Sequence, residues 1–374
     1  MQRIVGIRRV RFIAIQRAKE RARLRSLNRK FHYSEARSAM QAGPAGISRQ
    51  RKLVRKSRSR ARILLPRVFS LRDNYAETVA SVIRLRSAVL IENRPAMIHF
   101  DNVEILEPAA TLLLSAEIRR CKEYRIYLGD LLINGTYPKD PNLVLQLREM
   151  GFYRMIGVPE RPDIEDDREE HNRPRYLKFF TFDTVEAQAA ALLTDLVSVG
   201  AFAMNDQTKR RMTGAVKEAM GNAVEHAYPR MGDLPAEPSR WYCTAYVNPA
   251  AGEMMIGLLD HGVGVPETLD ATVIEVIKSL VTRWSWMPGD GHMIAAATEI
   301  YRTSTGQSGR GRGFRDMKRF IDECDDGELR VLSNCGSYHY VRGEEQIGDE
   351  ELSIGGTLIE WRVRHGQAVD FEDA

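Results

Sequence analysis

Glu218, Asn222 and His226 recur every four residues inside Lys217-Glu-Ala-Met-Gly-Asn-Ala-Val-Glu-His-Ala-Tyr228. That spacing stacks three polar side chains on one face of a helix. Met212, Ala215, Val216, Ala219, Met220, Ala223, Val224 and Ala227 supply apolar positions around the rest of the cylinder. A carboxylate and an amide on a mostly buried helix are costly without partners, and a metal-bound polyphosphate is one such partner. Asn222 offers a neutral oxygen to a hard cation such as Mg²⁺. Glu218 has the chemistry to orient or deprotonate a nucleophile. The alternative is a solvent-facing stripe on an ordinary amphipathic helix.

Three later stretches bear on that choice. Met254-Met-Ile-Gly-Leu-Leu-Asp260-His-Gly262-Val-Gly264-Val-Pro266 is an apolar run fit for a buried strand, ending in an acid and a loop with two glycines. Gly262 and Gly264 permit close backbone approach, and Asp260 at the strand end can accept a hydrogen bond from the exocyclic amine of adenine. Thr305-Gly-Gln-Ser-Gly309-Arg310-Gly311-Arg312-Gly313-Phe314 leads into helical spacing at Phe314, Met317, Phe320 and Ile321. A glycine-rich loop entering a helix start is a cradle for phosphate, because free N–H groups and the helix dipole favour anions; Arg310 and Arg312 add charge. No Gly-Lys-Ser/Thr follows, so this is not a Walker loop. Ile354-Gly355-Gly356-Thr357-Leu358-Ile359-Glu360-Trp361 reads as a strand with an entry small enough to admit a ligand.

Taken in order, the four stretches resemble the GHKL ATPase superfamily of gyrases, heat-shock chaperones, histidine kinases and mismatch-repair ATPases. Glu218-x-x-x-Asn222 matches its N-box, Asp260-x-Gly262-x-Gly264 its adenine box, Gly309 to Gly313 its lid glycines and Gly356-Thr357 its last box. The resemblance spans 182–363. It implies a Bergerat-type fold, a helical layer on a mixed sheet, with ATP between the helices and the lid. It further implies that Asn222 binds Mg²⁺, Glu218 is the general base and Asp260 contacts adenine. Gly262, Gly264, Gly309, Arg310, Gly311, Gly313 and Thr357 would line the nucleotide site.

The elements that must hold these residues begin well before them. The 374-residue chain is long enough for two to three domains. Residues 1–66 hold twenty Lys and Arg against Glu20 and Glu35, so they carry +18 of a chain total of +5 and leave −13 for the remainder. A flexible or helical basic tail on an acidic body is expected, able to bind nucleic acid phosphates or anionic lipid, or to dock on the chain's own acidic domains. Cys121, Cys243, Cys324 and Cys335 form no Cys-x-x-Cys pair, which fits free thiols in a reducing cytoplasm. No apolar run approaches the ~20 residues of a membrane helix, and no signal peptide is recognisable.

Residues 67–159 alternate strands (68–71, 96–100, 125–128) with helices (75–91, 108–121, 142–150), an α/β domain. Met97-Ile-His-Phe-Asp101 followed by Glu107-Pro-Ala-Ala110 and a helix resembles a STAS domain, the fold of anti-sigma-factor antagonists. Active antagonists carry a phosphorylatable Ser at that turn; Glu107 stands in its place, either as a mimic of the phosphorylated state or as a plain structural residue. Residues 160–175 are polar and proline-containing, a linker. The ATPase-like domain is expected over 176–365, with helices at 188–199, 209–228 and 292–300, a segment at 273–286 where a partner can dock, and strands at 240–247, 253–259, 329–333, 337–341 and 356–363. A short tail, 366–374, closes the chain. The fold class expected is α/β, an α+β sandwich. The resemblances together imply a cytoplasmic ATP- and Mg²⁺-binding regulator. It would phosphorylate a serine of a STAS-type or other protein partner, or hydrolyse ATP slowly. The alternatives are an ATP-driven switch held to nucleic acid by the tail, dimeric or not, and a nucleotide-gated scaffold without turnover.

Overall fold

A computed structural model describes residues 60–92, 94–124, 133–156, 158–160, 164–165, 173–182, 205–228, 240–269, 289–300 and 313–364. The helix expected at 188–199, the docking segment at 273–286, the strand at 125–128, and most of the basic tail lie outside the described residues.

The first unit begins earlier than the composition suggests. β1 (Ala61–Leu64) pairs in parallel with β3 (Ala96–His99), which pairs in parallel with β5 (Ile133–Gly135). Residues 61–64 are therefore sheet and not tail. β2 (Val68–Phe69) and β4 (Ile105–Leu106) form a separate parallel pair. Helix α1 (Tyr75–Arg86) runs on into a π-helical turn, Ser87–Ile91. α2 (Pro108–Tyr124) starts on Pro108, where a missing N–H is harmless. α3 (Pro141–Glu149) is capped by the Asp140 carboxylate, which accepts from Asn142 N at 2.8 Å, and the short α4 (Phe152–Ile156) follows.

The second unit is one eight-stranded sheet. It contains β6 (Arg175–Tyr176), β7 (Phe180–Phe182), β8 (Trp241–Asn248), β9 (Glu253–Asp260), β10 (Asp326–Ser333), β11 (Gly336–Val341), β12 (Glu344–Asp349) and β13 (Thr357–Arg364). The order is β12-β11-β10-β13-β9-β8-β6, with β7 also on β8. Every described pair in this sheet is antiparallel. The mixed pairing expected within this sheet is thus distributed over the chain, parallel in the first unit and antiparallel in the second, and the α/β class holds. Helices α5 (Asp206–Glu225), α6 (Val265–Thr268), α7 (Asp290–Ile300) and α8 (Gly313–Asp322) belong to this unit.

Strand periodicity sorts the core into two layers. Met254, Ile256 and Leu258 of β9, Trp241, Cys243 and Ala245 of β8, and Ile359 and Trp361 of β13 pack with Met212, Val216 and Met220 of α5 and Met317 and Phe320 of α8. The alternate residues, Tyr242, Met255, Leu259, Leu332 and Leu358, join the core of the first unit. The sheet is covered on both faces, which is why β9 reads as a continuous apolar run. It also explains α2, which is buried almost all round because it lies between the first unit and the second face of the sheet. Leu112 of α2 approaches Gly257, where a Cβ would sit 3.8 Å from Leu112 Cδ2.

Charged residues continue that second face. Glu328, Arg330, Glu360 and Arg362 meet the first unit there. Arg72 donates to Glu328 and Glu360, both at 3.0 Å, and Arg330 donates to the Leu71 carbonyl at 2.7 Å. Glu107 accepts from Ser70 Oγ at 2.9 Å and Leu71 N at 2.6 Å, and lies 3.6 Å from Arg362. Burial, reinforced by Glu360, raises the Glu107 carboxyl above its ordinary range. Glu107 is 7% exposed and sits between the units, so of its two readings the structural one fits its position. The four cysteines are all free and buried.

Candidate functional site

One row of residues crosses the sheet at its end. Trp241 is opposite Asp260, Asp260 opposite Thr357, Thr357 opposite Ser333, and Ser333 opposite Gly336. By strand alternation this row faces α5 and α8. Ser333 Oγ and Thr357 Oγ1 are 3.0 Å apart. Asp260 is buried, and its carboxylate accepts from Gly262 N at 2.8 Å and from the Thr357 backbone. Burial pushes its carboxyl up to about 7, against the pull of those two N–H groups.

The glycines around Asp260 are required by contact and by backbone angle. A Cβ on Gly262 would overlap the Ala227 carbonyl, and one on Gly356 (φ +152°) would overlap the Asp260 carbonyl. Gly264 has φ +87°, a conformation few side chains tolerate.

The same loop ties down the end of α5. Val263 N donates to the Ala227 carbonyl at 2.8 Å, and His261 N donates to Tyr228 Oη at 3.0 Å. Tyr228 Oη in turn donates to the Arg240 carbonyl at 2.6 Å. The Ala227–Tyr228 end of the α5 segment is thereby fixed beside the Asp260 loop. Sequence spacing places Glu218 one turn before Asn222. Both are half-buried on α5, whereas His226 caps the helix and is exposed; the polar stripe is a pair, not a triplet. The Glu218 carboxyl is raised by burial, then by Asp316 and Glu225.

α8 runs antiparallel along α5. Glu323 accepts from Arg211 Nε at 2.8 Å near one end, and Asp316 acts on Glu218 further along. Continued one turn, that register carries Gly313, the first residue of α8, toward the Asn222 turn. The N-terminal N–H groups of α8 therefore lie at the end of the helix nearest Asn222. Gly309, Arg310 and Gly311 lie outside the described residues.

The end of the Lys217–Tyr228 stretch, the Asp260 loop and the Gly355–Thr357 stretch meet at this end of the sheet, and α8 packs along α5. Among the described residues no group of three or more His, Cys, Asp or Glu could hold a metal ion. Asn222 contributes one neutral oxygen, so a cation here would take most of its ligands from a bound polyphosphate and water. Ser333 and Asn334 were not singled out from the sequence. Ser333 Oγ accepts from Val265 N at 2.8 Å, and Asn334 Nδ2 donates to the Val263 carbonyl at 2.8 Å. Their only signal is a polar Ser-Asn-Cys-Gly turn between two strands. Compared with protein-family models and with curated proteins, the chain matches none. Among the described residues no helix is long and apolar enough to cross a membrane.

Proposed function

We propose that this chain binds ATP with Mg²⁺ in the manner of a GHKL protein. It would transfer the terminal phosphoryl group to a serine of a partner protein, or slowly to water. The observation that carries the reading is the convergence of the buried Asp260, its glycine loops and the end of the helix that bears Glu218 and Asn222 on one end of one sheet, with α8 packed along that helix. Asp260, buried and ringed by small residues, suits a donor such as the adenine amine. Asn222 would supply one oxygen to the cation, whose chemistry is to neutralise phosphate charge. Glu218, held half-buried with a raised carboxyl, has the proton affinity of a base that takes the proton of an attacking hydroxyl. The start of α8 offers N–H groups to the phosphates. Four buried cysteines outside any disulfide favour a cytoplasmic setting. The contrast between the +18 of residues 1–66 and the −13 of the remainder favours an auxiliary role for the tail on nucleic acid.

Calorimetry with ATP and Mg²⁺ tests the site: heat from wild type that disappears in Asp260→Ala supports it, and no heat from wild type rejects it. Glu218→Ala should bind ATP with near wild-type affinity yet lose about 100-fold or more in phosphoryl transfer or hydrolysis, the usual contribution of a general base. Turnover that survives the substitution removes Glu218 from that role.

A further inference from the structure

Asp260 and His261 are neighbours whose side chains leave the sheet on opposite faces. Asp260 faces the helices; His261 faces the first unit. There His261 is buried, with its ring 5.7 Å from that of Tyr242 and Nδ1 3.4 Å from the Gly355 carbonyl. Burial lowers its imidazole to about 3, against the opposing pull of Glu117, so it is neutral. With Nδ1 donating, Nε2 is left as an acceptor, and it has no hydrogen-bond partner.

Glu117 comes from α2 and is fully buried. It accepts from Arg86 Nε at 3.0 Å and Arg86 Nη2 at 2.6 Å, and lies 3.7 Å from Arg120 Nε. Burial alone would raise its carboxyl, but Arg120 and Arg86 outweigh that and hold it well below the usual range. Arg86 Nη2 also donates to the Ile354 carbonyl at 3.3 Å. Gly355 (φ +75°) lies so close that a Cβ there would meet Arg86 Nη1 at 2.8 Å. The next residue, Gly356, rests against the backbone of Asp260.

We infer that Arg86 and Glu117 of the first unit are positioning residues for the adenine-reading loops, setting the Gly355–Gly356 segment and, through it and His261, the seat of Asp260. The first unit is then a back plate of the nucleotide site and the element through which a signal received there reaches base affinity. The inference rests on the ATP reading of the site. A purely structural Arg86–Glu117 pair would, when weakened, affect every ligand alike. A positioning pair acts on the base subsite alone, because the Gly355–Gly356 segment it sets touches the Asp260 backbone, whereas phosphate is handled by the Asn222 turn and the start of α8.

The test uses the full chain with Arg86→Lys and Glu117→Gln, which keep a buried donor and acceptor. Adenosine and tripolyphosphate–Mg²⁺ are titrated separately by calorimetry, after circular dichroism establishes folding at the working temperature. The expected result is a loss of about tenfold in adenosine affinity, the effect of one displaced hydrogen bond, with tripolyphosphate affinity unchanged. Arg86→Lys should fall less than Arg86→Met. Equal losses on both ligands, no loss on adenosine, or variants that do not fold would overturn the positioning role while the ATP reading stands. Wild type that binds neither ligand would instead reject the ATP reading itself.

Discussion

Asp260 carries a carboxyl that the sheet buries and two backbone N–H groups only partly compensate. Its folded value of about 7 exceeds the unfolded value of ~3.9. The folded state therefore holds a proton that the unfolded chain releases. The stability due to that proton is complete below about pH 4 and is lost as pH rises through 7. Denaturant melts of wild type should weaken between pH 4 and pH 7 by a few kcal/mol at most, at about 1.4 kcal/mol per unit, and level off above pH 7. Asp260→Asn should flatten that segment of the curve; an equally steep variant would assign the slope to another group. Asp260, Gly262 and Gly264 were legible because an acid and glycines at fixed offsets leave a local mark. Ser333 was not: its place in the row depends on strand register, a long-range property.

α5 illustrates how an element becomes readable. Its apolar residues recur with helical period, and Asn205 caps it, accepting from Thr208 N at 2.9 Å. Asn205→Ala should cost about 1 kcal/mol in a denaturant melt. β12 shows the opposite case. Its residues are almost all exposed at a sheet edge, so no alternation of apolar and polar types announced a strand. β8 and β9 were foreseen to within a residue or two because both faces are buried. In the sequence the loop before β13 shows only small residues, whereas its demand is geometric. Gly356→Ala forces a Cβ against the Asp260 carbonyl in a strained φ and should destabilise by about 2 kcal/mol or more. A neutral result in chemical denaturation would mean that the loop has room to move.

At the scale of the molecule, the two units share one apolar core and one buried charged seam. The sequence announced two domains and a linker because composition changes near 160–175; it held no sign that β10 and β13 aim charges at Arg72 and Glu107. Scanning calorimetry of residues 60–364 should give one cooperative transition, and two separated transitions would contradict the shared core. A fragment starting at 173 would expose Tyr242, Met255, Leu259 and Leu358, and is expected to aggregate. Arg72→Met leaves Glu328 and Glu360 short of a cation and should cost roughly 3 kcal/mol, near the lower end for a broken buried pair because Arg72 is partly exposed.

The four thiols give this architecture a clock. Cys121 lies in α2, Cys243 in β8, Cys324 after α8 and Cys335 in the turn before β11. Burial pushes Cys243 and Cys324 up to about 12, so in the native protein neither presents a thiolate to an alkylating reagent. Modification must wait for the layers to separate, and the order in which the four positions are alkylated records which layer parts first.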